Sequence, residues 1–220
     1  MSTAPHVDAA HVDLSRVDLF RVDGLHVDVA ELLHRRDLTV DDIADLPEDL
    51  RYELIDGRLV LSPLALPIHQ FIAVAITHAA MQHCPEDVLI NGEQAVLLDR
   101  RNELRPDVVL IHEEGAGKSP VRPGDVPLVV EVISESSKKF DRDGKLKKYA
   151  YVGIRNYWIV DPLAERVTLT QFALGPGGDY QQLLETDELV TVDRPWAITL
   201  DLPAWTRRRD RIRAVARPDS

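Results

Sequence analysis

Apolar positions fall along the chain in two periods. Between residues 67 and 84, "PIHQFIAVAITHAAMQHC", apolar side chains at 68, 71, 72, 75, 76 and 79 follow the helical period and predict a helix. Elsewhere the runs are short and rich in β-branched residues. "YELIDGRLVLSP" places two such arms around Asp56-Gly57, a pair suited to a two-residue type I′ hairpin turn. "DVLI" and "EQAVLLD" read as short strands, and "RPDVVLI", 105–111, as a strand with Pro at its entry. "VPLVVEVIS" is nearly continuous in apolar residues and predicts a central strand buried on both faces. "NYWIVDP" is a second buried strand, and "KFDRDGKLKKYAYVG", 139–153, between the two predicts a helix ending at Gly153. A strand–helix–strand unit implies parallel pairing. "RVTLTQFAL", "DYQQLLET" and "LVTVDRPWAITLDLPAW" alternate as edge strands or hairpins. Residues 28–50 read as two short helices, the second capped by Thr39 with Asp41 and Asp42 in its first turn. The fold class is α/β or α+β: a central mixed sheet flanked by helices, with an extra N-terminal hairpin and C-terminal strands.

Both ends of the chain depart from this pattern. Residues 6–30, "HVDAA HVDLS RVDLF RVDGL HVDVA", repeat every five residues, which matches neither helix nor strand. The repeat resembles the pentapeptide-repeat proteins, which wind into a square β-helix. Five copies lack the stacked neighbours that a solenoid coil needs. Residues 1–30 are therefore read as a low-complexity leader, disordered or loosely docked, and 31–206 as the folded domain. The basic end, 207–220, is expected to fray, or to help bind a phosphate backbone.

The net charge of −11 argues against non-specific nucleic-acid binding, but it is unevenly spread. Residues 1–50 hold 12 acids against 4 bases, and residues 51–220 hold 25 against 22. No apolar run approaches the ~20 residues that span a bilayer, and the N-terminus lacks the pattern of a secretory signal. The single cysteine, Cys84, fits a reducing compartment, and a cytoplasmic protein is expected.

Three carboxylates occupy apolar surroundings: Glu53 in "YELI", Asp107 after Pro106, and Glu131 inside "LVVEVI". A charge in an apolar strand is costly unless paired, neutralised or metal-bound. Two carboxylates on adjacent strands can share a hard divalent cation such as Mg²⁺ or Mn²⁺. Each residue also has a plainer reading: Asp107 as a turn cap, Glu131 as a buried ion pair, and "SSKKFDRDGKLKK" as a solvated helix face.

Pro106-Asp107, a 23-residue spacer and Glu131-Val132-Ile133 resemble the PD-(D/E)XK nuclease signature. The blocks "YELIDGRLVLSP", "RPDVVLI", "LVVEVISESS", "DRDGKLKKYAYVGI" and "NYWIVDP", in this order, resemble the Uma-type restriction-endonuclease family within that superfamily. The resemblance covers roughly residues 38–205. It implies an endodeoxyribonuclease: a hydrolase that uses a Mg²⁺- or Mn²⁺-activated water on duplex DNA, with a homodimer plausible. It implies Asp107, Glu131 and the backbone carbonyl of Ile133 as metal ligands. Glu53 is implied as a further ligand, held directly or by way of water. Ile133 stands where the superfamily has its lysine, and Lys145 matches the family's displaced lysine on the following helix. Lys145 is thus expected to turn inward toward the metal site. Tyr149, four residues on and on the same helix face, and Asp141 are support candidates. His69, in the family-like "IHQ", is expected as a surface histidine at a helix N-terminus that could touch phosphate. The departure at Ile133 keeps open a non-catalytic binding or regulatory module on the same fold. An interaction protein working through its N-terminal repeats is a further alternative.

Overall fold

The computed structural model describes residues 21–22, 25–26, 29–47, 50–62 and 65–216. Most of the pentad repeat therefore lies outside the described residues. Its last part forms two two-residue strands, β1 (Arg21–Val22) and β2 (Leu25–His26), paired antiparallel.

Next come helix α1 (Val29–His34) and a single 3₁₀ turn at Val40–Asp42, where two helices were expected. The backbone N–H and hydroxyl of Thr39 both donate to the Asp42 carboxylate, which holds that turn. Strands β3 (Tyr52–Ile55) and β4 (Arg58–Leu61) form the expected hairpin. Asp56 and Gly57 have φ of 51° and 76°, as a type I′ turn requires. Helix α2 (Pro67–Met81) is followed by β5 (Val88–Asn91), β6 (Val96–Asp99), β7 (Asn102–Leu104), β8 (Val108–His112) and β9 (Leu128–Val132). The region read as one helix from 139 to 153 is a wide π turn, Phe140–Lys145, running into α3 (Leu146–Tyr151). Gly153, at φ 82°, ends it. Then follow β10 (Asn156–Asp161), β11 (Thr168–Leu174), β12 (Tyr180–Thr186), β13 (Leu189–Val192), β14 (Ile198–Asp201) and α4 (Leu202–Ala216).

The main sheet has six strands in the order β12-β11-β10-β9-β8-β5. Only β9 and β10 run parallel, joined through α3 as the sequence predicts, and the other neighbours are antiparallel. A smaller sheet, β4-β3-β7-β6, packs α1 and the 3₁₀ turn against Tyr52, Leu54 and Leu59.

Strand alternation divides the main core. Val108, Leu110, Val130, Val132, Trp158 and Val160 face α2 and α4. Val109, Ile111, Val129, Ile133, Tyr157 and Ile159 face α3. By the same period of two, Glu131 falls on the α3 face between Val129 and Ile133.

The basic C-terminal segment does not fray up to residue 216. Leu202, Trp205, Thr206 and Arg209 are buried at helical spacing along α4. The Arg209 guanidinium donates to the carbonyls of Pro162, Ala164 and Glu165, at 2.9, 2.9 and 2.7 Å. These bonds tie α4 to the turn that leaves β10.

Candidate active site

The site lies where β8 begins and β9 ends. Register places Val108 opposite Val130, so Asp107 falls opposite Glu131 across the two strands. Glu53 reaches the same region from β3. Its neighbours Tyr52 and Leu54 pack into the small core, which turns Glu53 and Ile55 toward the α3 face. The helix side supplies the rest. The π turn carries Asp141 and Lys145 inward, and Tyr149 lies one turn further along.

Lys145 turns in. Its Nζ lies 3.0 Å from Oε1 of Glu131, 3.0 Å from Oε1 of Glu53 and 3.6 Å from Oδ1 of Asp141. The Tyr149 hydroxyl donates to the same Glu131 oxygen at 2.8 Å. Glu53 Oε1 also accepts the backbone N–H of Arg105 at 2.9 Å. All these side chains are nearly inaccessible: Lys145 is 5%, Glu131 3%, Asp141 1% and Glu53 9% exposed. Asp107 is less enclosed. Its Oδ2 accepts the backbone N–H of Val132 at 2.7 Å and lies 3.3 Å from His69 Nε2. His69 Nε2 also lies 2.8 Å from the Val132 carbonyl, to which it donates. His69 is therefore not the surface histidine expected. Its side chain is 12% exposed and ties α2 to the end of β9.

The electrostatics follow from crowding. Burial pushes the Glu131 carboxyl well above its ordinary range, and Asp141, Asp107 and Glu53 add to the shift against the pull of Lys145. Burial likewise raises Asp141. Burial opposes the charge on Lys145, but Glu131, Glu53 and Asp141 outweigh it and hold the ammonium well above its usual range. Burial opposes the charge on His69 as well, and the bond and charge of Asp107 reverse the balance and raise it. Burial raises the Tyr149 hydroxyl, which stays protonated as a donor. Carboxylates outnumber the ammonium at the centre, so the cluster attracts a further proton or cation.

Among the described residues, no group of three or more His, Cys, Asp and Glu side chains is arranged to hold a metal ion. The donors nevertheless suit a hard cation. They are carboxylate oxygens in negative excess, and Oδ1 of Asp141 is buried without a hydrogen-bond partner.

A family model, Uma2, described as "Putative restriction endonuclease", matches residues 40–205. The chain belongs to the Uma2 family. The match spans every side chain of the cluster. A solved structure from Anabaena variabilis, "a putative nuclease belonging to DUF820", shares the Uma2 chain's fold with a TM-score of 0.58 at 15% identity. The alignment covers 78% of this chain and 99% of that one. No curated protein matches. Among the described residues of this Uma2 chain, no helix is long and apolar enough to cross a membrane.

Tyr157 escaped the sequence reading. Its buried hydroxyl donates to the backbone carbonyl of Asp141 at 2.9 Å and pins the π turn from beneath. A polar-tipped ring inside "NYWIVD" was its only trace in the sequence.

Proposed function

We propose that the protein is a divalent-cation-dependent endodeoxyribonuclease that hydrolyses phosphodiester bonds of duplex DNA in the cytoplasm. The observation that carries this reading is the buried Lys145 ammonium among Glu131, Glu53 and Asp141, with Asp107 opposite Glu131 on the neighbouring strand. Asp107, Glu131 and the Ile133 carbonyl would hold Mg²⁺ or Mn²⁺, with Glu53 as a further ligand or a water anchor. The bound ion would activate a water and neutralise charge on the phosphoryl oxygens.

The chain's own residues supply the remaining chemistry. Lys145 stays protonated and brings a fixed positive charge to the place where phosphoryl charge develops. Tyr149 orients Glu131 from behind, and Tyr157 fixes the turn that presents Asp141 and Lys145. His69 aligns Asp107 and restrains the end of β9. A homodimer would offer two such sites to the two strands of a duplex.

A second reading has its own support. Lys145 is already saturated by carboxylates, as in a structural ion cluster, which suits a non-catalytic module on this fold. Nicking of supercoiled plasmid separates the two. With Mg²⁺ or Mn²⁺ the wild type should nick, and both EDTA and Glu131→Ala should abolish the activity. Equal nicking by wild type and Glu131→Ala, or none by either, sinks the catalytic reading.

A further inference from the structure

We infer that the exposed face of α4, through Arg207, Arg208 and Arg211, is the surface that grips the DNA phosphate backbone beside the site. The inference rests on the nuclease reading above and adds to it the place where substrate is held.

Three observations carry it. The first is charge. In a chain of net charge −11, α4 carries five arginines and one aspartate. Asp210 is taken by Arg209, and Arg209 is buried on backbone carbonyls. Arg207, Arg208 and Arg211 are exposed, and among the described residues they make no ion pair or hydrogen bond with a carboxylate. Surface arginines of an acidic protein readily find acids, so three unpaired ones on one helix point to an anionic partner from outside.

The second is construction. Leu202, Trp205, Thr206 and Arg209 fix the inner face of α4, so its outer face is held in place. Arg207 and Arg211 are one turn apart, and Arg208 and Arg211 are three residues apart, so the three form one patch.

The third is placement. The Arg208 guanidinium lies over the ring of Phe71, 4.8 Å from its centroid. That stacking presents its N–H groups edge-on while the flat face is occupied, which suits a bidentate phosphate contact. Phe71 belongs to the first turns of α2, two residues from His69, which contacts Asp107 and Val132. Arg209, between the exposed arginines, is bonded to the carbonyls just past β10, and β10 runs parallel to β9, so the patch lies at the same end of the sheet as Glu131.

Duplex DNA fits this surface because each strand presents regularly spaced charges, and arginines at helical intervals can follow them. The test uses full-length protein and a fluorescent duplex in EDTA, with affinity measured by anisotropy across a salt series. The triple variant Arg207→Gln/Arg208→Gln/Arg211→Gln should weaken binding at least tenfold. It should also lower the slope of log affinity against log salt by about 2–3, the release expected for three phosphate contacts. A control of equal charge change on the small sheet and its flank, Arg36→Gln/Arg58→Gln/Arg100→Gln, should move the slope far less.

An unchanged slope in the α4 variant overturns the inference while leaving nuclease activity standing. Equal losses in both triple variants also overturn it, because bulk charge would then be the cause. Weakened binding together with a fall in sedimentation mass would assign the arginines to an acidic protein surface, and would overturn it too. A wild type that neither binds nor cuts DNA overturns this inference and the function together.

Discussion

Lys145 is the residue on which the buried charges depend. Removing one partner of a buried ion cluster costs more than the cluster contributes, because the other charges stay behind. Lys145→Met would leave Glu131, Glu53 and Asp141 without their cation. The expected loss is about 3–5 kcal/mol at pH 7 in urea unfolding. The loss should shrink toward pH 4. Glu131 and Asp141 have folded-state pKa values raised above those of the unfolded chain. Their neutral forms therefore support folding at low pH, and that support is lost as pH rises through the folded values. In the wild type, the raised Lys145 offsets this loss until the pH passes its own folded value. Adding Glu131→Gln to Lys145→Met should restore part of the stability at pH 7. If Lys145→Met is equally destabilised at pH 4 and pH 7, uncompensated carboxylates are not the reason.

At the scale of elements, the π turn from Phe140 to Lys145 positions the helix side of the site. Gly144 leaves room for the Phe140 ring against the turn. A Cβ there would meet two carbons of the Phe140 ring at 2.3 and 2.4 Å, so the ring rests on the bare backbone. Gly144→Ala should cost about 1–3 kcal/mol by overpacking, although alanine is the better helix former. In a Phe140→Ala background the obstacle is gone, and the same change should stabilise by about 0.5–1 kcal/mol. Chemical denaturation of the four proteins gives the answer, and a loss of the same size in both backgrounds would refute the packing account. The sequence announced a helix here through its end signal at Gly153 and its place between two buried strands. It could not announce the extra width of the turn, because that depends on Tyr157 from β10 and on one absent side chain.

At the scale of the whole molecule, what was legible in the sequence was whatever has a local period. The β3–β4 hairpin came from Asp56-Gly57, the central strands from their apolar runs, and Asp107 and Glu131 from being carboxylates in those runs. Lys145 was found through resemblance, since a lysine among lysines on a helix has no local mark. Helix α4 was missed for a related reason. Its inward positions 202, 205, 206 and 209 keep the helical interval, but two of them are Thr and Arg, so the apolar stripe is half hidden. Only the tertiary partners, the three carbonyls after β10, show why an arginine is buried there. The inward contact of His69 with β9 was hidden in the same way, because it joins residues 63 positions apart.

The delivery of Lys145 from a crossover helix has a consequence in time. The strand carboxylates can approach each other once β8 and β9 pair antiparallel, a connection that closes within the sheet. The ammonium is held only after β10 docks parallel on β9, because Tyr157 on β10 pins the turn that carries it. Parallel pairing through a crossover is a late and slow contact for a chain to make. On the proposed reading, the site would thus stay incomplete, and the chain unable to cut, until its last central strand is seated. On refolding from urea, plasmid nicking should never return ahead of the slowest change in tryptophan fluorescence, to which buried Trp158 on β10 contributes. Activity regained before that phase would break the link.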